Sequence, residues 1–368
     1  MYIFVLIICS MDKYKLLLLL VLLPLISFSQ KGFLAGGAVH YGFIMEHRPT
    51  MAHLLKAHTK GFELDFAKQT SGKKSWHQVF LFPETGMKFY FSDLGNPQEL
   101  GVAAGIIPYI YLPFSRTDNF SFGINLGTGY GYVSKIFNTE NNHKNLVIST
   151  HINGILHGML ETKIKLTRQL SMRAAVALTH FSNGAVKVPN LGINITTAAF
   201  GFNYYFDKIR ANYHHDSLPA ISHKLEFSLS AAGGVKEIYP VGGKKFTTWT
   251  AIGTVLQPVK RKSKIGFGVD VFYNTALKVQ LSDSAGNAPT SLKIMRLGLG
   301  IPYEIRISKI NFSLEAGFYL INPKVSDGSA YQRIGFKYYF NNHLFFTNML
   351  KVHFGKADNI EFGLGYTF

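Results

Sequence analysis

Residues 360–368, the last nine of the chain, read IEFGLGYTF. Apolar residues alternate there with polar or small ones, and a β-strand points successive side chains to opposite faces. One predicted face is entirely apolar and carries Ile360, Phe362, Leu364, Tyr366 and Phe368. The other face is polar or small and carries Glu361, Gly363, Gly365 and Thr367. The pattern predicts a strand that separates an apolar surrounding from a polar or crowded interior.

The same alternation recurs along the chain after residue 30. It is clearest in the segments 122–132, 146–166, 169–182, 193–206 and 224–231. A weaker segment at 76–91 is also interpreted as a strand, either whole or broken. No stretch after residue 30 reaches the roughly 18 consecutive apolar residues that a transmembrane helix needs. The nominal count is sixteen strands, and fourteen fits if doubtful segments are dropped.

The N-terminus has the pattern of a secretory signal peptide. Lys13 and Lys15 precede the apolar run LLLLLVLLPLI at 16–26, and small residues follow at 27–30. That run of 11 residues is too short to cross a bilayer, which takes about 20. We expect residues 1–30 to be removed, so that the mature chain begins near Lys31. Cys9, the only cysteine, would be lost with the leader.

Composition favours a chain that faces lipid. Charged residues make up 16% of it, against about 25% in an average soluble domain, and aromatic residues make up 14%. With the signal peptide and the aromatic last strand, this predicts an all-β protein, a transmembrane antiparallel β-barrel of the bacterial outer membrane with about 14–16 strands. One barrel is favoured, because a second closed barrel would need its own complete seam. The alternative is two eight-stranded units.

The longest predicted connection, residues 207–222, divides the chain into two halves. The first half is residues 31–206, and the C-terminal barrel strands occupy 223–368. The formal charge of +17, or +16 without the leader, calls for an anionic partner. Nucleic acid fits poorly with 31 Phe and 19 Tyr, whereas an anionic glycolipid leaflet fits well. A single cysteine excludes an internal disulfide and a cysteine-built metal site, and no metal ion or cofactor is expected.

Residues 169–194 carry the predicted chemistry. His180 and Ser182 extend the apolar face of strand 169–182 at its outer end, and Asn194 begins the returning strand on the same side. A polar residue that faces lipid costs free energy, so its presence there indicates a function. A hydroxyl nucleophile needs a base within reach, and that base needs an orienting partner. Ser182 is therefore the candidate nucleophile, His180 the base, Asn194 the orienting residue, and the Asn183 amide N–H the donor to an oxyanion.

The His180-Phe181-Ser182-Asn183 motif, followed by Pro189-Asn190-Leu191-Gly192, resembles the lipid A 3-O-deacylase family, which is PagL-type or acyloxyacyl hydrolase-like. Upstream, Asn142 and Asn145 lead to the segment 149–153, STHIN, which also resembles that family. The resemblance covers about residues 35–206, whereas the half after 220 is similar only as general barrel sequence. It implies an outer-membrane hydrolase that removes an ester-linked acyl chain from lipid A. It also implies the same roles for Ser182, His180 and Asn183.

One position departs from the family pattern. The family acid lies twelve residues after the serine, where this chain has Asn194, and no Asp or Glu occurs from 183 to 194. An amide can fix the tautomer of a histidine, but it supplies no negative charge. Three interpretations therefore stay open: a carboxylic ester hydrolase of the lipid A deacylase type, a porin-like channel, and a non-catalytic outer-membrane barrel.

The expected location is the outer membrane of a Gram-negative bacterium. Lipid A, within lipopolysaccharide (LPS), is the expected substrate and partner, and no nucleic acid is expected. The aromatic C-terminal strand predicts recognition by the barrel-assembly machinery. A homodimer stays open.

Overall fold

The structure is a computed structural model that describes residues 32–207, 213, 217–218, 220–282 and 286–368. The predicted signal peptide, residues 1–30, and Cys9 lie outside the described residues. Those residues form sixteen strands. The first eight are β1 Phe33–Ile44, β2 Thr59–Gln69, β3 Glu84–Asp93, β4 Val102–Arg116, β5 Phe120–Val133, β6 Ile152–Lys165, β7 Leu170–Ser182 and β8 Ile193–Tyr205. The second eight are β9 Glu226–Glu237, β10 Lys245–Lys260, β11 Ser263–Asn274, β12 Met295–Ile307, β13 Ile310–Ile321, β14 Ala330–Tyr339, β15 Leu344–His353 and β16 Lys356–Thr367.

The strands form two closed antiparallel barrels, β1–β8 and β9–β16. The all-β, outer-membrane barrel prediction is confirmed, but the preference for one barrel is wrong, and the alternative of two eight-stranded units is correct. The first barrel closes between β1 and β8, in a register from Leu34↔Tyr205 to Ile44↔Ile195. The second closes between β16 and β9, from Phe362↔Gly233 to Thr367↔Ser228. The aromatic segment that ends the sequence thus forms the second seam.

Short helices connect some of the strands. They are α1 Ser75–Val79, α2 Ala276–Gln280 and the 3₁₀ turns Pro49–Leu54, Ser291–Ile294 and Val325–Asp327. The start of the predicted strand 76–91 is therefore wrong, because 75–79 are helical and the strand begins only at Glu84. Leu81 and Phe82, with φ values of 54° and 58°, turn the chain between α1 and β3. Within the described residues, no helix is both long and apolar enough to cross a bilayer.

Each barrel is apolar outside and charged inside. In the first barrel, Arg173 donates from Nη2 to Asp65 Oδ1 over 2.6 Å, and its Nη1 lies 3.1 Å from Glu63 Oε1. Lys88 Nζ lies 2.7 Å from Glu63 Oε2, and all these groups are buried. Arg333 has the matching role in the second barrel, where its Nη2 donates to Glu361 Oε2 over 2.7 Å. An eight-stranded barrel is just wide enough for side chains to fill its interior, and here charged pairs fill it.

The two barrels touch along their sides. We call the end of each barrel at which its odd-numbered strands finish the upper rim, and the other end the lower rim. Near the lower rim, Ile110 and Leu112 of β4 pack in one apolar cluster with Ile307 of β12. At the upper rim, the backbone N–H of Glu237 donates to the Ala185 carbonyl over 2.9 Å. The first barrel thus contacts the second through β4 near the lower rim and through the loop after β7 at the upper rim.

At the upper rim the contact is close. A Cβ built on Gly184 would lie 2.3 Å from the Ile360 side chain of β16. Lys245 of the second barrel also donates to the Val186 carbonyl. The loop 183–192, which follows Ser182, is therefore supported from the second barrel.

Candidate active site

The pleat of β7 places His180 and Ser182 on the outside of the first barrel. Val176 and Leu178, on the same face, are 61% and 44% exposed, whereas Arg173 and Thr179, on the other face, are buried in the lumen. Asn194 of β8 lies directly opposite His180 in the strand register. The three polar residues thus lie together on the outer face near the upper rim, half-buried, where the alternation in the sequence predicts them.

A chain of hydrogen bonds runs from His180 across β8 to the end of β1. His180 Nδ1 lies 2.6 Å from Asn194 Oδ1. The amide nitrogen of Asn194, Nδ2, lies 3.1 Å from Nδ1 of His47, and Nε2 of His47 lies 2.9 Å from the Leu191 carbonyl oxygen. Because an amide oxygen only accepts, His180 donates from Nδ1. Its Nε2 keeps the lone pair that a general base needs.

Ser182 is held by donors from the loop that follows it. Its Oγ accepts from Asn190 Nδ2 over 2.8 Å and from the Gly184 N–H over 3.1 Å. In the part of the chain that the structure describes, no hydrogen bond joins Ser182 to His180. The two residues are neighbours on one face, with Cα atoms about 7 Å apart, and catalytic hydrogen bonds are often long before substrate binds.

Asn183 is an anchor of the loop 183–192. Its side-chain nitrogen Nδ2 is buried and donates to Ser149 Oγ, Thr150 Oγ1 and the Lys187 carbonyl over 3.2, 3.1 and 3.0 Å. Its backbone N–H, the predicted oxyanion donor, donates to Asn190 Oδ1 over 3.1 Å. That N–H is engaged within the loop, so the donors aimed at Ser182 are Asn190 and Gly184 instead.

Sequence reasoning missed the roles of Asn190 and His47. The Pro189-Asn190 motif marked the loop but did not show that Asn190 reaches the serine. His47 is 147 residues from Asn194 in sequence, and no local pattern links them. The residues of the upstream motif hold loops together. Asn142 and Asn145 both donate from Nδ2 to the Glu99 carbonyl. Ser149 and Thr150 accept hydrogen bonds from Asn183.

Gly192 lies against the Cε1–Nε2 edge of the His180 imidazole. A Cβ built there would lie 2.6 Å from Cε1 of His180, and its φ of +83° is one that side chains other than glycine rarely adopt. Among the described residues, no group of three or more His, Cys, Asp or Glu side chains could hold a metal ion. The arrangement is therefore a hydroxyl, an imidazole and a set of amide donors on an apolar surface, which suits acyl transfer.

Comparison with known proteins gives two family matches. Residues 60–203 match the model of lipid A 3-O-deacylase (PagL). Residues 225–368 match the model of the acyloxyacyl hydrolase C-terminal domain. The second match corrects the expectation that the half after 220 is only general barrel sequence. No curated protein matches the chain significantly.

Solved structures with low similarity to the chain include two channels and a siderophore receptor. The CymD monoaromatic hydrocarbon channel is 12% identical, with 92% of this chain and 88% of that chain covered and a TM-score of 0.20. An outer membrane channel from Pseudomonas putida F1 is 10% identical, with 91% and 94% covered and a TM-score of 0.19. The siderophore receptor PirA from Pseudomonas aeruginosa is 7% identical, with 92% and 81% covered and a TM-score of 0.22.

The two family matches are separated by residues 204–224. The first covers β2 to β8 of the first barrel and contains Ser182, His180 and Asn194, and the second covers the whole second barrel. The chain therefore belongs to the lipid A 3-O-deacylase (PagL) family of outer-membrane β-barrel proteins.

Proposed function

We propose that the protein is an outer-membrane esterase that removes an ester-linked acyl chain from lipid A, with Ser182 as nucleophile and His180 as general base. The observation that carries the proposal is the 2.6 Å contact of His180 Nδ1 with Asn194 Oδ1. It holds the imidazole in the tautomer whose Nε2 can accept a proton, two residues from a serine on the same outer face.

The reaction follows the logic of acyl transfer. Ser182 Oγ attacks the ester carbonyl carbon, and its proton passes to His180 Nε2. The tetrahedral intermediate collapses, the C–O bond to the sugar breaks, and the sugar oxygen takes the proton from His180. Water then attacks the acyl-serine with His180 again as base, which releases the fatty acid and restores Ser182. Asn183 contributes by anchoring the loop.

Two donors are placed to stabilise the oxyanion. Asn190 Nδ2 and the Gly184 N–H both donate to Ser182 Oγ, over 2.8 and 3.1 Å. When Oγ becomes part of the tetrahedral intermediate, the developing negative charge lies two bonds away, on the former carbonyl oxygen. Donors that already point at Oγ lie near that oxygen and need only a small shift to stabilise its charge.

The position of the site suits a lipid substrate. The polar cluster opens sideways from the barrel, beside exposed apolar side chains such as Val176 and Leu178. With the N-terminus in the periplasm, the upper rim lies at the outer leaflet. Exposed lysines in the loop 134–151, Lys135 and Lys144, add positive charge at that rim, where lipid A carries its phosphates.

The alternative of a porin-like channel depended on a single wide barrel, whereas the chain forms two narrow ones. It required a water-filled lumen, whereas each eight-stranded barrel is filled by buried ion pairs. We therefore expect purified protein in planar bilayers to give no steady conductance.

The deciding experiment is release of acyl chains from lipid A. Purified full-length protein in liposomes that contain lipid A should lower the mass of lipid A by one hydroxyacyl chain and liberate the matching free acid. Mass spectrometry measures both products. Unchanged lipid A after prolonged incubation with well-folded protein would refute the esterase.

Gly192→Ala should slow this reaction. The new Cβ would push the imidazole away, and a displacement of about 1 Å can cost about 10²-fold in rate. The left-handed φ would add about 1–2 kcal/mol of destabilisation. Gly242→Ala is the matched control, because its φ is +77° but nothing lies within 4 Å of the added Cβ. Equal turnover in the two variants would show that Gly192 does not position His180.

A further inference from the structure

His47 lies just past the end of β1, beside the start of β8. The backbone there continues the pairing of the strands, since the Met45 N–H donates to the Asn194 carbonyl over 2.8 Å. The His47 ring therefore meets the side chain of Asn194, 3.1 Å from its Nδ2, and reaches the Leu191 carbonyl with its other nitrogen, 2.9 Å away. It makes both contacts at one edge of the proposed active site.

The donor and acceptor of each hydrogen bond in this series can be assigned from the contact at the Leu191 carbonyl. A backbone carbonyl can only accept, so His47 Nε2 must carry the hydrogen that it donates to Leu191. In a neutral imidazole the other nitrogen is then an acceptor, and it can accept only from the amide nitrogen of Asn194. His47 Nδ1 also lies 3.4 Å from the Met45 carbonyl oxygen, but in this tautomer it has no hydrogen to donate there. The Asn194 amide oxygen is thereby turned toward His180.

We propose that His47 is a positioning residue for the esterase reaction: it fixes the orientation of the Asn194 amide, and the amide fixes the tautomer of His180. The inference rests on the proposed function. A carboxylate needs no such help, because both of its oxygens accept. An amide has one accepting and one donating end, so a third group must select which end faces the base.

The reversed amide shows why the selection matters. With Asn194 Nδ2 against His180, the imidazole would accept at Nδ1 and hold its proton on Nε2, where it could not take the proton of Ser182. In a serine protease, an amide in place of the acid gives the wrong tautomer and lowers turnover about 10⁴-fold. Here His47 prevents that orientation, so Asn194 can occupy the position of the family acid without abolishing the base.

The test is a rescue experiment on the full-length protein with lipid A as substrate. His47→Phe keeps a ring but removes the acceptor, and we expect kcat to fall by about 10² to 10⁴ while KM changes little. Adding Asn194→Asp to His47→Phe should restore most of the loss, because a carboxylate presents an acceptor in either orientation. His53→Phe is the matched control: His53 also donates to a loop carbonyl, that of Lys144 over 3.0 Å, but does not touch the site.

A second readout does not depend on turnover. Nitrogen NMR of the His180 ring should show a protonated Nδ1 in the unchanged protein and a protonated Nε2 in His47→Phe. An inactive unchanged protein would contradict the proposed function. The NMR result would still show whether His47 sets the tautomer of His180. An active protein in which His47→Phe keeps its kcat, or loses it without rescue by Asn194→Asp, would overturn the inference.

Discussion

Replacing Ser182 with alanine should lower the rate of lipid A deacylation by about 10⁴ to 10⁶. Removal of the nucleophile leaves only the contribution of the oxyanion donors and of substrate binding. The fold should persist. Ser182 accepts only two hydrogen bonds, at the barrel rim, and their loss should lower the free energy of unfolding by about 1 kcal/mol. The measurement is the initial rate of fatty acid release by equal amounts of the folded proteins.

Ser171→Ala is the matched control for this variant. Ser171 is the second residue of the same strand β7, but it faces the lumen near the lower rim. Its rate should stay within about twofold of the unchanged protein. Deacylation by Ser182→Ala at more than a hundredth of the normal rate would mean that another group is the nucleophile.

Replacing Arg173 with methionine should destabilise the first barrel by about 3–5 kcal/mol. Its guanidinium lies 2.6, 3.1 and 3.6 Å from oxygens of Asp65, Glu63 and Glu161, all of them buried. Methionine would leave these carboxylates with less compensation, and breaking a buried ion pair on one side is costly for that reason. Asp65 would be affected most, since its other partner is the Tyr109 hydroxyl, which donates over 2.9 Å.

Denaturant unfolding in detergent micelles measures this loss. Arg168→Met, in the exposed turn before β7, should change stability by less than about 0.5 kcal/mol. The double variant Arg173→Met with Asp65→Asn should recover part of the loss, because it removes a stranded charge. A stable Arg173→Met single variant would show that the lumen network tolerates unpaired carboxylates.

The sequence was sufficient for the faces of the strands. A strand has a period of two residues, so a short window assigns every side chain of β7 to one side or the other. That reasoning placed His180, Ser182 and Asn194 together on the outer face. The strand count of sixteen also followed, because each strand carries its own alternation.

The strand pairing that closes each barrel could not be predicted in the same way. Which strand pairs with β1 depends on contacts such as Leu34↔Tyr205, far apart in sequence, and the alternation of β8 is compatible with any neighbour. The α1 segment, Ser75–Val79, contains tryptophan and valine, which also favour strands, so local composition predicted the wrong structure there. The contact of His47 with Asn194 could not be predicted for the same reason, since only the pairing of β1 with β8 brings the two residues together.

The contact between Gly184 and Ile360 links the site to the order of the chain. All strands of the first barrel precede residue 206, so its seam can form from the first half of the sequence alone. Ile360, which supports the loop behind the nucleophile, lies in the final strand. A strand synthesised after the whole of the first barrel therefore completes the surroundings of a serine made much earlier. The support of the loop behind Ser182 thus depends on the strand that closes the second barrel.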